Sequence, residues 1–226
     1  MTDSPTPSTP QPLLSASSYC ALIAADTAEA ANLRRLIAES QGATLAIDTS
    51  PQDAIELRTD PASPQAPAAQ VSPIETASRD WLLRTDDSSH GLADGVTSIL
   101  LPAGTITEPA DTEREQLIEH AADLLPPDGQ LIVSAQHVVG NELLSETWRL
   151  PDGCLITENA DPASGLRTVT MRQAGHWSTL TLHLVTPAWL AEAIKRHSMR
   201  LTFQYSEPHP ILTRHRIVIV RSVKTA

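Results

Sequence analysis

A doubly wound α/β domain is what this chain of 226 residues predicts, on three observations. Two short apolar runs flank a helical stretch near the start; an alternating, turn-punctuated segment follows the fifth apolar run; and a helix and two strands close the chain. The helix between the first two runs makes them adjacent parallel strands, while the alternating segment and the ending are antiparallel. The expectation is a mostly parallel seven-stranded sheet with an antiparallel C-terminal hairpin and a small antiparallel cap inserted at about residues 141–186.

Residues 1–18 (MTDSPTPSTPQPLLSASS) are rich in Pro, Ser and Thr, cannot build a core, and read as a disordered lead; the α/β domain is assigned to 19–226. YCALIAAD, from Tyr19, suits a buried strand, and Leu33, Leu36 and Ile37 in the next stretch fall at helical spacing. Gly42 closes that helix, ATLAID gives a second strand ending at Asp48, and TSPQDAIELR starts another helix. Residues 59–73 hold four prolines and read as a loop. ETASRDWLL supplies a third strand ending near Asp80, and DGVTSILLP a fourth beginning at Asp94. TEREQLIEHAADLL is a helix with Leu117, Ala121, Leu124 and Leu125 on one face; PPDG turns it into the fifth strand, QLIVSAQ. ETWRLPDG, CLITENAD, RTVTMRQAG and WSTLTLHLV alternate as a meander. PAWLAEAIKRHS is a helix with Pro in its first turn, followed by the strands MRLTFQYSE and RHRIVIVRS.

Composition narrows the function classes. Seven aromatic residues leave a core of Leu, Ile, Val and Ala, which suits helices packed on a buried sheet. A net charge of -11 without a basic stripe argues against nucleic acid and anionic membranes as partners and favours a small molecule, with an oligomer or protein partner left open. Cys20 and Cys154 are too few and too far apart for a disulfide framework or a cysteine zinc site, which points to a reducing cytoplasm. No stretch reaches the ~18 apolar residues of a membrane span. The eight histidines show no HxxxH or HxH spacing, so no metal is expected. A Gly-x-Ser-x-Gly elbow and a P-loop are absent too.

GATLAIDTSPQDAIELR resembles the second strand and following helix of class I S-adenosylmethionine-dependent methyltransferases. SRDWLL, ADGVTSILLPAGTI and EREQLIEHAADLLPPDGQLIV are similar to that family's third, fourth and fifth strand motifs, with Asp128 inserted before Gly129, and the helix-strand-strand ending fits as well. Together the matches cover most of 19–223. The resemblance implies S-adenosylmethionine as cofactor, with Asp48 on its ribose, Asp80 near its adenine, and the first loop, at Ala25 and Thr27, against its remaining part. A carboxylate at the end of the second strand suits ribose because it accepts hydrogen bonds from both hydroxyls. It serves NAD equally well, and Asp48 before Thr-Ser-Pro also has the makings of a helix N-cap. The first loop, AADTAEAAN, departs from the family by holding no glycine, and Thr27 and Glu29 also read as a helix N-cap and first-turn acid.

His137, just after the fifth strand, is the candidate general base, though a loop histidine in solvent reads the same way. His176 and Trp177 in the cap are candidates for acceptor contact. The function expected is methyl transfer to a small-molecule O, N or C nucleophile. The alternative is a catalytically degenerate methyltransferase-like binding or regulatory protein, for which the glycine-free loop speaks.

Overall fold

The computed structural model describes residues 28–49, 54, 57, 73–84, 92, 94–150, 153–173, 175–209, 212 and 214–225. The proposed disordered lead, the first predicted strand with Ala25 and Thr27, and all of the predicted second helix except Thr49, Ala54 and Leu57 lie outside them. The described elements begin with α1 (Ala28–Ala38), β1 (Ala43–Ile47), β2 (Ile74–Ala77), α2 (Arg79–Leu83), β3 (Val96–Leu101), α3 (Ala103–Thr107), α4 (Asp111–Leu124) and β4 (Gln130–Val138). There follow β5 (Leu144–Arg149), β6 (Leu155–Asp161), β7 (Leu166–Gln173), β8 (His176–His183), α5 (Pro187–Arg196), β9 (Met199–Pro208) and β10 (His215–Lys224).

The main sheet runs β2-β1-β3-β4-β10-β9 and the second β5-β6-β7-β8. β1, β2, β3 and β4 are parallel, β10 and β9 antiparallel. Alternation along each strand sends one set of side chains to each face. Leu45, Ile47, Ile99, Leu101, Leu131, Val133, Val218 and Val220 share a core with Leu117, Ile118 and Ala121 of α4 and Leu190, Ala193 and Ile194 of α5. Ala46, Leu100, Ile132, Ile217 and Ile219 face Leu33, Leu36 and Ile37 of α1. Helices on both faces make the doubly wound layering the sequence predicts.

The described residues contribute six strands to this sheet, and the predicted first strand, with its expected pairing, lies outside them. β1 is flanked by β2 on one edge and β3 on the other, so both of its ladders are taken by later strands. The close start of β1 beside β3 depends on Gly42, where a Cβ would lie 2.4 Å from the Gly95 carbonyl; Gly42 therefore opens this strand pair instead of closing α1, which already ends at Ala38. The predicted third strand is shorter than ETASRDWLL because Ser78 caps a helix, its hydroxyl accepting from the Trp81 N–H at 3.1 Å. Asp80 stands in the first turn of α2 and not at a strand end.

The meander falls at β5 to β8, inside the predicted cap. Its inner face, with Ile156, Val169, Met171 and Leu182, closes over Ala103 of α3 and Leu212. A helix capped by Thr186 then carries the chain into β9, Pro187 holding the first position and the Thr186 hydroxyl accepting from Trp189 N–H at 3.1 Å.

Candidate functional site

Open α/β sheets hold ligands beyond the carboxyl ends of their parallel strands, so register decides what can meet there. Leu45 and Ala46 pair with Ile99 and Leu100, and Leu100 and Leu101 with Ile132 and Val133. Ile47, Leu101 and Val133 are therefore level, and Asp48 begins the row beyond them with Ser134. β4 runs on from Ser134 to Val138, paired throughout with β10. This overhang stands like a wall beside the shorter strands and carries the chain into the meander.

Asp48 sits at that edge with φ 50° and a side chain 23% exposed. Its Oδ1 accepts from the Arg79 backbone N–H at 2.7 Å, so the carboxylate steadies the start of α2. Oδ2 is 4.0 Å from Arg79 Nε, and the same guanidinium reaches Glu108 at 3.1 Å and Glu113 at 3.6 Å. Shared among three acids, Arg79 stays 4.0 Å from Oδ2, and among the described residues Oδ2 has no close hydrogen bond and is able to accept from a ligand. Beside α2 lies a cavity of about 360 Å³ walled by Leu45, Ala77, Trp81, Leu92 and Val96, with Glu75, Thr76 and Ser78 as its polar part; Asp48 does not line it, but its backbone N–H donates to the carbonyl of Ala77, which does, at 2.8 Å. Its size falls within the range of small-molecule sites. Asp80 is exposed and does not line it, although its neighbours Ser78 and Trp81 do.

His137 is the second correction to the predicted site. It belongs to β4 itself, opposite Arg216, because the strand outlasts QLIVSAQ. Half-buried, its ring is pushed below the usual histidine range by desolvation, against an opposing hydrogen bond with the Val185 backbone, while Arg216 and His215 add to the lowering. It is thus held neutral near pH 7, as a proton acceptor must be. His176 and Trp177 are both exposed at the start of β8, Trp177 to 73%.

Two clusters escaped sequence reasoning. On the α1 face, Ser134 donates to Oε1 of Glu29, which is 6% exposed. Burial pushes the Glu29 carboxyl up, the Ser134 hydrogen bond pulls the other way, and Glu207 raises it further. Further along the overhang, Arg167 of β7 donates to Gln136 at 3.0 Å and meets Glu158 of β6 at 3.5 Å. Glu158 in turn binds His215 Nε2 of β10 at 2.9 Å, and all four residues are buried. The sequence does hold a signal for this cluster: Glu158 lies in step with Ile156 and Ala160, and Arg167 with Val169 and Met171, which are inward positions. Among the described residues no group of His, Cys, Asp and Glu is placed to hold a metal ion, and no helix is long and apolar enough to cross a membrane.

No family model matches the chain, and no curated protein matches it in sequence. Solved structures do match in fold. The S-adenosylmethionine-bound CalS10 of Micromonospora echinaspora, an amino pentose methyltransferase, superimposes with a TM-score of 0.58 over 96% of this chain and 100% of its own, at 11% identity. An S-adenosylmethionine-dependent methyltransferase of Clostridium acetobutylicum gives 0.55 over 93% and 98% at 8% identity. The CcbJ methyltransferase of Streptomyces caelestis gives 0.53 over 88% and 89% at 14% identity. The chain has a divergent class I S-adenosylmethionine-dependent methyltransferase-like fold, a mixed α/β sheet of mostly parallel strands with antiparallel hairpins.

Proposed function

We propose that the protein binds S-adenosylmethionine at this carboxyl edge and transfers its methyl group to a small-molecule nucleophile. The observation that carries the reading is Asp48 at the carboxyl end of β1, hydrogen-bonded through its backbone to Ala77, a wall of the 360 Å³ cavity. The residues fit the group: Oδ2 of Asp48 retains acceptor capacity toward a ribose diol, and the apolar walls beside Trp81 suit a flat purine. The first-turn amides of α1 suit the carboxylate at the other end of the cofactor. Bound S-adenosylmethionine supplies an electrophilic methyl group on a positively charged sulfur. This chain's part is to align donor and acceptor, for which no elaborate constellation is needed. His137, kept neutral by burial, is the residue proposed to take the proton that an acceptor must lose. His176 and Trp177 are proposed as acceptor contacts on the strength of their place in the meander, and Asp80 as a polar group at the mouth of the cavity.

A second reading has its own support. The hydrogen bond that commits Oδ1 of Asp48 to α2 and a first loop without glycine both suit a protein that keeps the fold and has given up catalysis. Titration calorimetry with S-adenosylmethionine, S-adenosylhomocysteine and NAD separates the cases. The proposal expects both adenosylated amino acids to bind and NAD not to. No binding of any of them at millimolar concentration would overturn it.

A further inference from the structure

We propose that the carboxylate of Glu29 is a recognition site for an ammonium group carried by the small molecule bound at this edge, an inference that rests on the methyl-transfer reading. Glu29 stands in the first turn of α1, 6% exposed, with Oε1 taken by the Ser134 hydroxyl. Oε2 is equally buried, and among the described residues no hydrogen-bond donor reaches it. A carboxylate oxygen removed from water without a donor is costly, and native structures keep such atoms where a ligand or water completes them. The neighbouring charge that Glu29 senses is another carboxylate, Glu207, whose own oxygen accepts from the Tyr205 hydroxyl. Two acids on one face repel anions. A neutral hydroxyl would supply a hydrogen bond to Oε2 but leave the negative charge uncompensated, whereas an ammonium group supplies both N–H donor and charge.

Place and reach agree with this. Ser134 is in the same row as Asp48, two strand spacings away, or about 10 Å of backbone separation at ~4.8 Å per step. A ligand with its ribose on Asp48 therefore extends toward Glu29. The ammonium has two sources, the amino-acid end of the methyl donor or an amine on the acceptor, and binding measurements tell them apart.

Glu29→Gln keeps the shape and the acceptor for Ser134 while removing the charge. Calorimetry compares S-adenosylhomocysteine with 5′-methylthioadenosine, which lacks the ammonium group; thermal unfolding compares glucosamine with glucose. If the donor supplies the ammonium, the variant loses tenfold or more in affinity for S-adenosylhomocysteine (about 1.4 kcal/mol) and none for methylthioadenosine. If the acceptor supplies it, glucosamine but not glucose raises the melting temperature of the wild type, and the variant loses that shift. The inference is overturned if the variant matches the wild type toward both amines, or if methylthioadenosine weakens as much as S-adenosylhomocysteine. Failure of the wild type to bind any adenosyl ligand would instead sink the methyltransferase reading, with the glucosamine comparison still reporting on Glu29.

Discussion

Asp48 combines three features at one position: a left-handed backbone, a hydrogen bond to the start of α2, and an oxygen that the Arg79 guanidinium approaches only to 4.0 Å. Different substitutions separate them. Asn tolerates positive φ and accepts the Arg79 N–H, but it is neutral. Asp48→Asn is expected to unfold at nearly the wild-type temperature while binding S-adenosylmethionine about tenfold or more weakly, from charge-assisted hydrogen bonds worth about 1.5–3 kcal/mol. Asp48→Ala should lose stability as well, by about 1–2 kcal/mol for the left-handed backbone alone. Thermal unfolding and calorimetry on both variants check the pair, and equal affinity in wild type and Asn would remove Asp48 from the ligand site. The position itself was legible in the sequence, because a strand pattern ending in Asp before Ser-Pro is local. Its partner was not, since the Arg79 N–H arrives from 31 residues away.

Among the elements, the interior pair β1 and β3 is sensitive to a small change. A methyl group at Gly42 would meet the Gly95 carbonyl at 2.4 Å and Thr97 side-chain atoms at 2.8 Å, and backbone gives way poorly. Gly42→Ala is expected to cost about 1–3 kcal/mol by overpacking. Urea unfolding measures it, and a change under a few tenths of a kcal/mol would mean the two strands can separate at no cost. Helices such as α4 and α5 were legible because their apolar spacing and the Thr186 cap are written within one turn. The end of β4 was not, for Val138 and Val139 precede Gly140 in a run that alternation cannot divide. That missing length put His137 in a loop on paper and in a ladder in the molecule. The order of strands around β1 is likewise a matter of long-range pairing, on which local pattern is silent.

At the scale of the whole molecule, the main sheet and the meander are joined by Gln136, Glu158, Arg167 and His215, one from each of β4, β6, β7 and β10. Glu158 and Arg167 have fully buried side chains, so removing one takes a buried countercharge from the other, although Glu158 keeps His215 at 2.9 Å. Arg167→Met is expected to cost about 3–5 kcal/mol, and the double variant with Glu158→Gln to recover part of it. Chemical unfolding of the single and double variants tests this, and a single-variant loss below about 1 kcal/mol, the range of an exposed pair, would show that the junction does not depend on charge. The layers of the fold were readable from apolar periodicity, and the meander from its alternation, but this junction needed the two sheets in place together.

The two sheets also differ in how far apart in the chain their partners lie. Every strand of the meander pairs with its neighbour in sequence, Arg149 with Leu155, Asp161 with Leu166, Gln173 with His176. The overhang of β4 waits instead for β10, where Val138 meets His215. Loops that short close quickly, while one enclosing the whole meander closes slowly. During folding the meander is therefore the part that can stand first, and the carboxyl edge acquires its wall only when the last strand comes home.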